Sequence, residues 1–192
     1  MKYLHIYNFL SDKERSEIFD FAVSNKSSFA QSGVLGDANH RCSKVLYDFP
    51  KELFINRLQK VMPLACDALD ITVNEAGLIE CQLTASNDGD YFKAHTDSNP
   101  EQATRTRFLS YVYYFHRIPK HYLGGQLLLY NNQESREYGN FKVVEPDNNS
   151  LVLFESCLLH EVSPVRCPNT AFANSRFTVN GWFNHKVTTS FT

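Results

Sequence analysis

Short apolar or alternating runs, separated by turn residues, fill the chain after Gly77. In residue numbers the runs are 78–85, 107–115, 124–130, 141–146, 150–156, 160–165 and 176–184. Many short strands at this spacing are typical of an all-β sandwich or barrel. The chain from Gly77 onward is therefore predicted to form mostly strands.

The first third of the chain shows helical periodicity instead. Ser11 and Glu14 form a capping box, and apolar residues at helical spacing follow it. A second helix is predicted over about 51–69, and Pro63 is expected to end or kink it. Helices followed by strands predict a mainly β protein in which helices support a jelly-roll core on one face.

Length and composition limit the classes of protein that remain. A chain of 192 residues with 43% hydrophobic residues fits one packed domain, with helical support over roughly 1–76 and the jelly-roll core over roughly 77–185. The net charge of −2, without a block of Lys or Arg, argues against nucleic acid as a partner. No apolar stretch reaches the ~20 residues of a membrane span, and no export signal is visible. Five cysteines without a CxxC motif then predict reduced thiols and a cytoplasmic location.

A histidine and an aspartate stand two residues apart in GDYFKAHTDSNP (89–100). His95 and Asp97, together with His160 in HEVSPV, would give the 2-His-1-carboxylate triad that suits non-haem Fe(II) and leaves one face of the metal open. His160 stands 63 positions after Asp97, and the chain between them spans several strands, so His160 can return on a neighbouring strand. These three residues are the predicted metal ligands and catalytic centre.

A basic residue on the last strand completes the predicted site. Alternation in RFTVNGWF places Arg176, Thr178 and Asn180 on one face. An Arg that points into a barrel is costly unless it meets an anion. The distal carboxylate of 2-oxoglutarate would supply a bidentate partner, and its keto acid end would bind the metal. Arg166 is the alternative for this role.

The order of these motifs over roughly 78–184 resembles the Fe(II)/2-oxoglutarate dioxygenases of the prolyl 4-hydroxylase type. That resemblance implies a double-stranded β-helix, with Fe(II), 2-oxoglutarate and O2 as the cofactor and co-substrates and ascorbate as a candidate reductant. It also implies three further site residues: Tyr114 at the distal carboxylate of the co-substrate, Tyr91 beside the substrate pocket and Trp182 lining it. The chain departs from the oxygen-sensing relatives where Thr84 replaces a tyrosine and where the segment before Arg176 is longer.

The resemblance implies hydroxylation of an unactivated C–H with release of succinate and CO2. A prolyl residue in a protein or peptide is the first expectation for the substrate. A free amino acid or a small biosynthetic intermediate is the alternative, since no separate peptide-binding domain is evident. An alternative from another class of protein is a cupin-like metal-binding protein, which would bind the metal but would have no oxygenase activity.

Several residues near these motifs have less specific interpretations. Arg107 is expected to close a structural salt bridge, and Gly124 and Gly125 to form a turn or bulge. The polar segment 27–42 is either a surface loop or a mobile flap over the metal, and the flap is favoured.

Overall fold

The computed structural model of the chain describes residues 1–32, 39–73 and 75–187. Its α-helices are α1 (Asp12–Ser24), α2 (Glu52–Leu69) and α3 (Gln133–Glu137). Its strands are β1 (Leu4–Tyr7), β2 (Ala30–Gln31), β3 (Arg41–Cys42), β4 (Lys44–Leu46), β5 (Ala76–Ser86), β6 (Tyr91–His95), β7 (Arg107–Phe115), β8 (Leu123–Gly124), β9 (Leu127–Tyr130), β10 (Phe141–Val144), β11 (Ser150–Glu155), β12 (Leu159–Val162), β13 (Val165–Arg166) and β14 (Arg176–His185).

Two antiparallel sheets form the body of the molecule. Over the described residues, the larger sheet has the order β1-β11-β7-β14-β5-β4-β2 and the smaller one β10-β9-β12-β6-β3. Strands distant in sequence are neighbours in both sheets, as a jelly roll requires. Most importantly for the site, β12 pairs with β6, so that His160 lies opposite His95. The predicted β-rich fold, a double-stranded β-helix with supporting helices, is confirmed.

Both long helices pack on one face of the larger sheet. Leu58 of α2 and Ala22 of α1 are fully buried there, in one core with Tyr113 and Phe177 of the sheet. The Tyr113 ring contacts the ring of Phe54 within this core. The opposite face of the sheet is left for the pocket. Within the described ranges, no helix is both long and apolar enough to cross a membrane.

The helix predicted over about 51–69 is confirmed as α2, and it does not end at Pro63. Instead of ending there, α2 runs through Pro63 to Leu69, where Asp70 adopts the left-handed conformation (φ 58°). A proline inside a helix removes one backbone hydrogen bond. Ala65 and Leu69, which lie beyond the proline, are buried on the same face as Leu58. Burial of this apolar face offsets the lost bond.

The N-terminal region contains strands as well as helices. Four short strands, β1 to β4, lie before residue 76 and extend the edges of the two sheets. Segment 27–42 is not a simple loop, since β2 pairs with β4 and β3 pairs with β6. Residues 33–38 of the predicted flap lie outside the described residues.

The capping box of α1 is linked to α2 by an ion pair. Ser11 Oγ accepts from the Glu14 N–H, and Glu14 Oε2 accepts from the Ser11 N–H at 2.8 Å. Arg57 of α2 donates to both Glu14 carboxylate oxygens at 2.7 Å. The hydrogen bonds from Arg57, then those from Ser11, lower the pKa of Glu14 from 4.5 to about 2.

We expect Glu14→Ala to lower the free energy of unfolding by about 1–2 kcal/mol at pH 7, because it removes a cap and a partly sheltered ion pair. A depressed folded-state pKa stabilises the fold above the unfolded pKa of 4.5 and loses this effect as pH falls towards 2. Urea unfolding at pH 7 and pH 3 measures the difference. Glu17→Ala, on the exposed side of α1, is the matched control. An equal loss for both variants at pH 7 would contradict the prediction.

Candidate metal and co-substrate site

A pocket of about 630 Å³, partly open to solvent, lies between the two sheets. The larger sheet contributes residues of β5, β7, β11 and β14, most of them at alternate positions, and the smaller sheet contributes residues of β3, β6, β9 and β12. Because side chains alternate along a strand, the same strands that bury one face against the helices turn their other face to this pocket. All seven residues singled out for the site line it: Tyr91, His95, Asp97, Tyr114, His160, Arg176 and Trp182.

His95, Asp97 and His160 form one cluster at the pocket. One ligand atom from each lies within 4.8 Å of the other two. His95 Nε2 is 3.5 Å from Asp97 Oδ1, and His160 Nε2 is 3.4 Å from Asp97 Oδ2. Both histidine rings thus turn the same nitrogen towards the carboxylate. Two imidazole nitrogens and a carboxylate oxygen converging in this way could hold a divalent transition metal.

Backbone carbonyls fix the tautomer of both histidines. His95 Nδ1 lies 2.7 Å from Lys93 O, and His160 Nδ1 lies 2.8 Å from Leu158 O. A carbonyl oxygen only accepts, so each Nδ1 carries the proton and donates. The lone pair of each Nε2 then faces the centre of the cluster. This is the tautomer that a metal-binding histidine needs.

The charge states of the cluster also suit a metal. Burial lowers the pKa of His160 to about 4, against the opposing charge of Asp97, so the ring is neutral at pH 7. Burial alone would raise the pKa of Asp97, but the nearby histidines and the Ser110 hydrogen bond outweigh it and lower that pKa. The cluster therefore offers neutral imidazole and an ionised carboxylate.

A second layer of contacts positions Asp97. Ser110 Oγ donates to Asp97 Oδ2 at 2.7 Å, and the Asp97 N–H donates to Ser156 O at 2.9 Å. Arg107 donates to Asp97 O at 3.4 Å and makes a bidentate ion pair with Glu80. The salt bridge expected of Arg107 is present, and Arg107 also holds the backbone of Asp97 through the Asp97 carbonyl oxygen.

Arg176 and Tyr114 form the other end of the pocket. Both are buried, at 4% and 0% exposure, and the Arg176 guanidinium carbon lies 4.9 Å from the centre of the Tyr114 ring. Arg176 Nε and the Tyr114 hydroxyl have no hydrogen-bond partner among the described residues. Buried donors without partners are costly. A carboxylate of a small ligand fits here, since it would accept from both groups.

Gly125 makes the space in which Arg176 lies. Its φ is +68°, and a Cβ at this position would come within 2.6 Å of Arg176 Cδ. Gly124 and Gly125 both have left-handed backbone, as a turn or bulge requires. Arg166, the rival for the carboxylate, is exposed on β13, where it pairs with Leu123.

The two residues expected at the substrate pocket lie at its wall. Tyr91 is half-buried and donates its hydroxyl proton to Asn39 O at 2.9 Å. Trp182 is also half-buried, and the Arg107 guanidinium carbon stacks 3.6 Å from its ring centre. Both side chains are therefore held in place beside the metal cluster.

Sequence reasoning missed Ser110, which donates to Asp97, and the polar pocket residues Gln82 and Arg41. Ser110 could have been found, because it lies four residues before Tyr114 on the same face of β7. Gln82 lies two residues before Thr84 on β5, where the same alternation applies. Arg41 gave no signal, since its segment has neither helical nor strand periodicity.

The fold and this cluster define the class: a double-stranded β-helix with two histidines and an aspartate converging in its central pocket. The family model of the 2OG-Fe(II) oxygenase superfamily matches residues 81–184. The chain belongs to this superfamily, whose cofactor and co-substrates are Fe(II), 2-oxoglutarate and O2.

A curated relative and two solved structures are similar to the chain. An uncharacterized PKHD-type hydroxylase of Synechocystis sp. is 39% identical over 96% of this chain, which spans 64% of that relative's length. A Pseudomonas putida prolyl-4-hydroxylase matches with a TM-score of 0.69 and 19% identity, over 96% of this chain and 93% of that one. A Trichoplax adhaerens prolyl hydroxylase, in complex with a hypoxia inducible factor peptide fragment, gives 0.68 and 19%, over 95% and 83%. At these identities the two structures support the fold.

Proposed function

We propose that the protein is an Fe(II)- and 2-oxoglutarate-dependent hydroxylase that acts on an unactivated C–H bond, with a prolyl residue of a protein or peptide as the first candidate substrate. O2 and 2-oxoglutarate would be consumed, one oxygen atom entering succinate and the other the alcohol, with release of CO2. The two named prolyl hydroxylases that share the fold support the choice of substrate.

One observation carries this proposal. The pocket has a cluster of metal-binding side chains at one side and, at the other side, buried donors that lack a partner among the described residues and could bind a carboxylate. His95, Asp97 and His160 would hold the metal through two Nε2 atoms and a carboxylate oxygen. Arg176 and Tyr114 would bind the distal carboxylate of 2-oxoglutarate. When bound, the metal supplies the oxygen-activating chemistry, and the protein orients the co-substrate and excludes water around it.

An anaerobic titration tests the proposal directly. Apo-protein receives Fe(II) and then 2-oxoglutarate, while the visible charge-transfer absorption of an Fe(II)–keto acid chelate is followed. We expect a band that requires both additions. Metal binding without the band would leave a cupin-like metal-binding protein as the better account. Admission of O2 together with prolyl peptides, with succinate measured, then tests turnover and substrate.

A further inference from the structure

Arg41 is a second guanidinium in the same pocket. Among the described residues that line the pocket, those of the Arg, Lys, Asp and Glu types are Arg41, Asp97 and Arg176. Arg41 lies on β3 opposite Phe92 of β6, with its guanidinium carbon 4.9 Å from the Phe92 ring centre. The Phe92 ring in turn stacks on His95 at 3.6 Å. One aromatic ring therefore separates Arg41 from the metal cluster.

The partners of Arg41 within the described residues are neutral. Its Nε donates to Ser43 Oγ at 3.0 Å and its Nη2 to Thr84 Oγ1 at 3.4 Å. Three of the five N–H donors of this arginine thus have no acceptor within the described part of the chain. Burial lowers the pKa of Arg41; the charges of Tyr47 and Asp97 oppose this effect, and that of Arg176 adds to it. A half-buried guanidinium in such surroundings favours an anion.

Gln82 provides an independent sign that the pocket accepts a polar ligand. It is 4% exposed, lines the pocket, and its Nε2 has no hydrogen-bond partner among the described residues. Gln82 and Thr84 are two residues apart on β5, so both point to the same face. Because Arg41 bonds to Thr84, its guanidinium and the Gln82 amide lie along the same side of the pocket. Together they offer several N–H donors and no negative charge.

The charges of the proposed reaction leave Arg41 without a counter-ion. Two positive charges of Fe(II) balance the two carboxylates of 2-oxoglutarate, one of which would chelate the metal. Asp97 and Arg176 cancel in the sum. One positive charge, that of Arg41, then remains without a compensating charge among the described residues of the pocket. A substrate with one negative charge would neutralise it.

Resting on the proposed function, we infer that Arg41, with Gln82, binds a carboxylate of the substrate. This group could be the α-carboxylate of a free amino acid or an acidic side chain next to the reacting residue in a peptide. The chemistry of recognition is the same in both cases. The pocket would then select anionic substrates over neutral ones of the same shape.

Matched pairs of probes distinguish these sources. L-proline is compared with L-prolinamide, and acetyl-prolyl-aspartate amide with acetyl-prolyl-asparagine amide. Binding is measured anaerobically on the full chain loaded with Fe(II) and 2-oxoglutarate. Trp182, the single tryptophan of the chain, lines the pocket and reports binding by fluorescence. We expect the acid of one pair to bind about tenfold to a hundredfold more tightly than its neutral partner, the range of a charge-assisted contact.

Three variants test whether Arg41 causes the preference for the acid over the neutral probe. Arg41→Gln is expected to reduce it to about twofold, a value near that of neutral hydrogen bonds. Arg41→Lys, which keeps the charge and guards against a folding defect, is expected to retain part of it. Arg166→Gln makes the same chemical change on an exposed strand and is expected to behave as the wild type.

The inference is overturned if acid and neutral probes bind alike, if no acid gives a response, or if the preference survives in Arg41→Gln. It is also overturned if Arg41→Gln mainly raises the 2-oxoglutarate concentration needed for the charge-transfer band, since Arg41 would then hold the co-substrate. Absence of that band in the wild type is a different result, because it would remove the proposed function itself.

Discussion

Replacing Asp97 with alanine is expected to abolish Fe(II)- and 2-oxoglutarate-dependent turnover, with a fall of about a thousandfold or more. Asp97 is the one carboxylate in the cluster, and its two oxygens lie 3.5 and 3.4 Å from the two Nε2 atoms. Without it only the two imidazoles remain, which bind Fe(II) weakly and leave its charge uncompensated. This fall in rate corresponds to the loss of several kcal/mol of metal-dependent stabilisation of the transition state. Succinate formation and bound iron, measured on the same samples, check the prediction.

A control on α1 separates loss of the metal from loss of the fold. Asp20→Ala removes an exposed carboxylate and is expected to keep both iron and succinate formation. Because the pKa of Asp97 is lowered in the folded protein, its carboxylate stabilises the metal-free fold, and Asp97→Ala is expected to unfold at a lower temperature than Asp20→Ala while staying folded at the assay temperature. Thermal unfolding of both variants checks this. Full turnover in Asp97→Ala would mean that the cluster is not the reaction centre.

The strands that carry the site could be predicted because their pattern is local. Strand β7 coincides with the apolar run 107–115, and β14 with the run that begins at Arg176. Alternation within each run also separates the two faces: Tyr113 lies against the helices, and Tyr114 lies in the pocket. Two residues adjacent in sequence thus have opposite surroundings, as the period of two requires.

The short edge strands could not be predicted in this way. Strands β2 and β3 have two residues each, too few for any periodicity, and β1 has four. Their conformation is set by pairing with a strand that already exists, such as β6 for β3. Arg41 enters the pocket only through this pairing. A residue whose position depends on tertiary contact leaves no sequence pattern to detect.

The choice between Arg176 and Arg166 could not be made from the sequence, because a long segment precedes β14. Between His160 and Arg176 the chain forms β13 and a 3₁₀-helix, Phe172–Asn174, before the last strand begins. Cys167 anchors this segment, since its N–H donates to Asp88 Oδ1 at 2.8 Å. The extra residues therefore fold beside the sheet and do not shift the register of β14, in which Thr178 lies opposite Tyr114. Spacing alone could not separate Arg176 from Arg166.

The contribution of each group at the carboxylate end of the pocket can be measured. We expect Arg176→Ala to raise the apparent KM for 2-oxoglutarate about a hundredfold and Tyr114→Phe about tenfold, as for loss of a charged and a neutral hydrogen-bond partner. The rate at saturating 2-oxoglutarate is expected to fall less, because neither group touches the metal cluster. Succinate formation across a range of 2-oxoglutarate concentrations gives both constants.

Matched controls exist for both substitutions. Tyr113→Phe removes the neighbouring hydroxyl, which donates to Asn149 Oδ1 on the helix side of the sheet. Arg166→Ala removes the exposed arginine. Neither is expected to change the KM, and a KM defect in Arg166→Ala would reassign the carboxylate to that residue. Because Arg176 and Tyr114 would bind the same carboxylate, the double variant is expected to lose less than the product of the two single effects. A KM increase in the double variant equal to the product of the two single increases would mean that the two groups act on different parts of the ligand.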